Sequence, residues 1–217
     1  MREDELLYFT RAELEVMLNL SGGCSVCRTG DPPDENELTQ AFASLYRRGF
    51  LTRENDAFAP DSRGAFFRDI CLAPFAVLMN ARYPRETTAL CYCGADMIWL
   101  AEYLRTAVSE QVRLRMMSPP DFRSWLYDAD ILEPPMLTRE DAGELSALLK
   151  DEPVGGAVRL RLEKYKNGGA RLGIYEILEQ DGMPVVRVRA GRREIKELYT
   201  AEALDSMLMQ CFQKGTL

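Results

Sequence analysis

The chain contains no histidine, and that absence narrows its possible chemistry more than anything present. Serine and cysteine hydrolases of the usual kind take their general base from an imidazole. Most catalytic zinc sites use one as a ligand. No Walker loop, dinucleotide-binding glycine fingerprint or nucleophile elbow occurs either. Gly168, Gly169 and Gly173 fall in turn and strand context, not at the start of a helix, which disfavours a phosphate cradle. Asp128 and Asp130 are neighbouring acids that read as solvated loop residues. The expectation is a protein that is not an enzyme and uses no cofactor.

Two further absences concern location. No apolar run approaches the ~18–20 residues of a membrane span, and Met1-Arg2-Glu3-Asp4-Glu5 puts three acids ahead of Leu6 where an export signal would be basic. A cytoplasmic protein without membrane insertion is expected, with thiols kept reduced. Bases are also scarce: 27 Lys and Arg face 34 Asp and Glu, a net charge of −7. Nucleic-acid binders gain most of their affinity by neutralising phosphates, so nucleic acid is not an expected partner. What remains is an ordinary globular composition, 47% hydrophobic and 28% charged over 217 residues, enough for one sizeable core.

Capping signals organise the chain. Thr10 and Glu13 form a capping box ahead of the stripe Leu14, Met17, Leu18, and Ser21-Gly22-Gly23 ends that helix. Asp34 and Glu37 open a second helix with Leu38, Phe42, Leu45 and Tyr46 on one face. Phe50–Arg53 and Ala57–Ala59 read as a hairpin around Glu54-Asn55-Asp56. Asp61 is read as the cap of a third helix carrying Phe66, Phe67, Ile70 and Cys71. Strands are expected at Phe75–Ala81 and Thr87–Cys93. Asp96–Tyr103 fits either a strand or a helix.

The order then restarts. Val112–Met116 alternates as a strand, and Ser118 with Asp121 repeats the capping signal. Thr138–Asp141 opens a helix carrying Leu145, Leu148 and Leu149. Val158–Tyr165 alternates but also permits a helix. Arg171–Leu178, Val185–Ala190 and Ile195–Tyr199 read as strands, and Thr200 caps a closing helix. Strand, capped helix, second helix and a three-stranded stretch thus occur twice, at an offset of 108 residues from Thr10 to Ser118. The fold expected is α+β: a single domain, 1–217, of similar halves near 1–105 and 112–217 in pseudo-two-fold arrangement. A largely antiparallel central sheet with flanking helices completes it.

Cys24, Cys27, Cys91 and Cys93 could supply four thiolates to one tetrahedral zinc. Structural sites use two C-x2-C pairs, whereas Cys91 and Cys93 are separated by one residue. The set therefore reads as unrelated thiols, and no metal is expected. The helix from Glu35 to Arg48 followed by its hairpin imitates a winged helix, the alternative being a DNA-binding transcriptional regulator. Its bases gather at Arg47 and Arg48 while Glu35 and Glu37 stand at its start, which is the wrong charge for a groove. Arg159, Arg161, Lys164 and Lys166 read as the solvated face of an amphipathic segment.

The segment Leu6–Leu20, the run Leu45-Tyr46-Arg47-Arg48-Gly49-Phe50-Leu51 with its following hairpin, and Ala59-Pro60-Asp61 before a helix, Pro74 and a strand resemble a family. So do Val185–Ala190, Ile195–Tyr199 and the closing helix. The family is that of the EspG-like, ESX (type VII) secretion-associated proteins of Gram-positive bacteria. The resemblance implies a cytoplasmic chaperone or adaptor that binds a secreted effector protein or helical heterodimer, and it carries over no catalytic residues. Candidate partner-binding residues are Tyr83 and Arg85 in the linker Arg82–Glu86, and Tyr165 and Lys166 at the end of Val158–Lys166. Both segments set aromatic or aliphatic residues beside charge. The alternative is that both tyrosines simply edge the core.

Overall fold

The computed structural model describes residues 6–23, 32–82, 86–105, 110–145, 156–167, 169–180 and 182–213. Helix starts are set by local hydrogen bonds. Strand β1 (Leu7–Thr10) passes directly into α1 (Arg11–Leu20) because Thr10 Oγ1 accepts from the Glu13 N–H at 3.1 Å, while the Thr10 N–H donates back to the Glu13 carboxylate at 2.8 Å. Asp34 and Glu37 close the same box on α2 (Glu35–Arg47), both bonds at 2.8 Å. Each box satisfies donors that a helix start otherwise leaves unpaired. Ser118 opens α4 (Pro119–Asp128) by accepting from the Asp121 N–H at 3.3 Å, but its hydroxyl donates to the Asp121 carboxylate in place of a full box. Thr138 and Asp141 start α5 (Arg139–Leu145), and Thr200 accepts from the Ala203 N–H at 3.1 Å to start α6 (Ala201–Phe212). Leu148 and Leu149 lie outside the described residues.

Asp61 departs from its reading. Its side chain caps nothing; a 3-10 turn, Ser62–Gly64, intervenes before α3 (Phe66–Cys71). The tighter turn lets Gly64 approach the core: a Cβ there would lie 2.8 Å from the Phe50 carbonyl oxygen and 2.6 Å from Met17 Cε. The preceding hairpin pairs β2 (Leu51–Glu54) with β3 (Ala57–Pro60). Asn55 and Asp56 take φ of 47° and 65° at its tip, the left-handed pair that suits the twist of a two-residue hairpin.

The remaining strands are β4 (Phe75–Ala81), β5 (Thr87–Cys93), β6 (Ile98–Arg105), β7 (Glu110–Met117), β8 (Val158–Lys166), β9 (Arg171–Gln180), β10 (Met183–Ala190) and β11 (Arg193–Leu198). Both segments with mixed periodicity, β6 and β8, are therefore strands. The nine large-sheet strands run in the order β1-β7-β6-β5-β4-β8-β9-β10-β11. The architecture is an antiparallel-sheet α+β fold, with six α-helices among the described residues. In chain order, strand, helix, helix and then a run of strands occur in both halves. The first half inserts the hairpin and α3 before its run, and the second ends with β11 and α6.

Two compact units divide the residues as Met1–Ala76 with Ala89–Met117 and Lys166–Ala170, and Val77–Thr88 with Ser118–Tyr165 and Arg171–Leu217. This partition interleaves along the chain and does not follow its midpoint. In the first unit, Phe9 meets Phe50 and Phe67 edge-on, with ring centroids 5.1 and 5.4 Å apart. Met17, Leu45 and Ile70 are fully buried with them. In the second, α6 lies over β9 and β10, and Phe212 meets Phe122 of α4 at 4.8 Å. On the opposite face of the second unit's strands, Leu178, Val185 and Leu198 pack under Leu137, Ala142 and Leu145.

Candidate partner-binding surfaces

Tyr83 and Arg85 lie outside the described residues, as do Cys24 and Cys27. Tyr165 is half-buried near the end of β8 and donates its hydroxyl to Glu163; Lys166 is exposed. Cys91 and Cys93 are fully buried on β5, the Cys93 thiol donating to the Cys91 carbonyl at 3.5 Å. Among the described residues no group of three or more His, Cys, Asp or Glu side chains could hold a metal.

Apart from the exposed Lys166, the bases of β8 are not a solvated face, and pleating gives the reason. Leu160, Leu162 and Lys164 alternate onto the buried side, while Arg161 and Glu163 take the other. Lys164 is 4% exposed and donates to the backbone carbonyls of Gln210 (3.1 Å) and Gln213 (2.8 Å) at the end of α6. A cation suits that position because the last carbonyls of a helix are unpaired and carry its negative pole. Arg159 bonds Glu179 at 2.9 Å and lies 4.0 Å from Glu133.

Arg161 leads into a network. Its guanidinium bonds Glu163 at 2.6 Å and Glu176 at 3.3 Å. Register sets Arg161, Glu176, Arg187 and Lys196 directly opposite one another across β8, β9, β10 and β11. Glu176 is 1% exposed. One of its oxygens accepts from Arg187 Nε (2.9 Å), Arg187 Nη2 (2.7 Å) and Arg189 Nη2 (3.0 Å). Burying a carboxylate costs several kcal/mol unless opposite charge and hydrogen bonds offset it, and three guanidiniums do so here. Burial pushes the Glu163 carboxyl up, but the Tyr165 hydroxyl and the Arg161 guanidinium outweigh it and leave its pKa lowered. The shifts of Tyr175, Tyr199 and Cys211 run upward because burial disfavours their charged forms.

The first unit carries a smaller version. Glu102, also 1% exposed, accepts from Arg113 Nε at 2.9 Å and from Arg113 Nη2, with Arg115 at 4.0 Å. In the same unit the half-buried Arg48 side chain lies against the core. It bonds the Glu13 carboxylate at 2.8 Å and the Tyr8 carbonyl at 2.6 Å, with its Cζ 5.1 Å from the ring centroids of both Phe9 and Phe50. What α2 and its hairpin present is partly aromatic: Tyr46 and Phe58 are exposed, their centroids 6.0 Å apart.

Glu176, Arg187 and Arg189 were missed by the sequence reading, although a signal exists. Val-Arg-x-Arg occurs at Val112–Arg115, Val158–Arg161 and Val186–Arg189. All three lie on strands, and in two of them the first arginine stands opposite a buried glutamate, Glu102↔Arg113 and Glu176↔Arg187. Alternate arginines on a strand share one face, so the repeated motif marks a charged sheet surface.

No protein-family model and no curated protein sequence matches the chain. Among solved structures, it is similar to the Mycobacterium tuberculosis type VII secretion system chaperone EspG5, determined in complex with the PE25-PPE41 dimer. That likeness has a TM-score of 0.53 at 10% identity, over 98% of this chain and 99% of the chaperone. The chain therefore shares the fold of a type VII secretion chaperone.

Proposed function

We propose that this protein is a non-enzymatic cytoplasmic chaperone or adaptor that captures a substrate of a type VII (ESX) secretion system. The observation that carries the reading is the extent of the fold likeness: nearly every residue of both chains takes part, so the likeness is to the whole chaperone and not to one shared motif. The partner expected is a secreted effector or a helical heterodimer, by analogy with the PE25-PPE41 dimer that the similar structure holds. Tyr83, Arg85, Tyr165 and Lys166 remain the proposed contacts from the sequence. The acidic start of α2 counts against the winged-helix alternative, as does the pairing of Arg48 at its end with Glu13.

The test is to tag the full chain in its native host, crosslink, and identify what co-purifies. Recovery of small secreted helical proteins encoded with secretion components supports the reading. Recovery of a discrete DNA site, with binding that weakens steeply as salt rises, overturns it.

A further inference from the structure

The guanidiniums of Arg161, Arg187 and Arg189 form a face that exceeds the needs of the carboxylates they hold. Three arginines face two acids, Glu163 and Glu176. Arg171 adds another base close enough to act on Glu163, and Lys196 is balanced by Glu194 at 3.8 Å. The face is thus net positive on a chain whose net charge is −7. Arg187 spends its Nε and Nη2 fork on Glu176. Arg189 does not: it makes one bond, through Nη2, and its Nε–H is buried with no acceptor among the described residues. A buried donor left unpaired costs about 1–3 kcal/mol, but it is closed to an incoming group, and what Arg189 offers outward is the exposed part of its side chain. The Arg189 side chain is 38% exposed and that of Arg161 35%, so an incoming group can reach both.

We propose that this face of β8, β9 and β10 docks an acidic, extended segment of a protein partner, whose carboxylates pair with the exposed sides of Arg161 and Arg189 and share the excess positive charge. Geometry favours an extended segment. Arg187 and Arg189 are two residues apart on one strand, about 6.6–6.8 Å along it, and alternate side chains of an extended peptide repeat at the same distance. Charge favours a short acidic segment over a nucleic acid. A polyanion must approach many phosphates at once and meets the repulsion of the whole acidic chain, whereas a few carboxylates answer only the local surplus. The apolar cluster of Leu178, Val185 and Leu198 beneath Leu137, Ala142 and Leu145 bounds the face at one end. The inference goes beyond the chaperone reading and does not depend on it, since an acidic segment is recognised by the same chemistry in any partner.

The experiment uses the full chain and a fluorescein-labelled peptide of alternating Glu and Ala, with the Gln–Ala peptide as uncharged control, by anisotropy at low salt. The Glu peptide is expected to bind and the Gln peptide not to. Arg189→Gln should weaken binding about tenfold, the equivalent of one charge-assisted hydrogen bond. Arg189→Lys should fall between, because it keeps the charge and loses the planar fork. Arg53→Gln, which removes an exposed base from the other unit's hairpin, should leave binding unchanged. Far-UV circular dichroism and urea midpoints establish that each variant is folded, and Arg161→Gln serves in place of Arg189→Gln if the latter is not. The proposal is overturned by equal binding of the two peptides, by an Arg53→Gln loss as large as that of Arg189→Gln, or by inorganic phosphate displacing the peptide at equal concentration of charge. That last result would mark a site for free anions. None of these outcomes bears on which proteins co-purify in the host.

Discussion

Lys164 Nζ lies 2.8 Å from the backbone carbonyl oxygen of Gln213 and also reaches Gln210, so one buried cation joins β8 to the end of α6. Tyr175 adds a second donor to the Gln210 carbonyl at 3.2 Å. Lys164→Met keeps much of the apolar stem and removes the charge and both bonds. It should lower unfolding free energy by about 2 kcal/mol, within the range for hydrogen bonds to charged groups. Urea denaturation of the two proteins measures it. A change under a few tenths of a kcal/mol would mean the helix end is satisfied without Lys164.

Glu176 is the hub of its network, and removing it leaves Arg161, Arg187 and Arg189 repelling one another. Breaking a fully buried pair costs about 3–5 kcal/mol. Arg161 and Arg189 are more than a third exposed, so water recovers part of that, and Glu176→Ala should cost about 2 kcal/mol. Glu176→Gln, which keeps the shape and can still accept, should cost less. An equal loss in the two variants would show that packing and not charge is what Glu176 supplies.

Glu163 links acid stability to the same network. Its carboxyl is lowered from 4.5 in the folded chain. A depressed folded value means the stabilising contribution is present above the unfolded pKa and is lost as pH falls through the folded one. Wild type should therefore exceed Glu163→Gln in stability at neutral pH, and the gap should close below about pH 4. Chemical denaturation across that range checks it; a gap that persists unchanged into acid would contradict the linkage.

Thiol reactivity follows burial. Cys71, Cys91, Cys93 and Cys211 are buried, and burial pushes the Cys211 thiol far above its ordinary value, which keeps it protonated and unreactive. Of the six thiols, no more than two should react rapidly with Ellman's reagent in the folded chain, and all six should react in denaturant. Fast labelling of Cys91 or Cys211, located by peptide mass analysis, would contradict the packing.

Gly64 tests the close approach of the 3-10 turn. In Gly64→Ala the Met17 side chain can shift, but the Phe50 carbonyl is backbone and cannot do so cheaply. The variant should lose about 1–3 kcal/mol, seen as a lowered thermal midpoint. An unchanged midpoint would show that the turn relaxes freely.

What could be read from the sequence was mostly local. Thr10, Asp34 and Thr200 cap helices through bonds that span three residues, and Asn55-Asp56 makes a turn through its own backbone preference, so neighbouring residues suffice to specify them. Asp61 looked the same and failed, because a 3-10 turn, Ser62–Gly64, stands between it and α3 and its side chain makes no cap bond. Periodicity left β6 and β8 open between strand and helix, since short alternating runs also contain pairs four apart.

The amino-acid sequence by itself determined the class of the molecule: an acidic α+β chain without histidine chemistry, with its helix starts and most of its strands in place. Tertiary structure alone decided that β1 pairs with β7, a partner about a hundred residues away in sequence, that Lys164 and Glu176 face inward, and that Arg48 pairs with Glu13. Caps and turns are closed by atoms within a few residues of one another. Strand partners and the fate of a charged side chain depend on which distant backbone or counter-charge folding brings alongside, and composition and spacing do not carry that information.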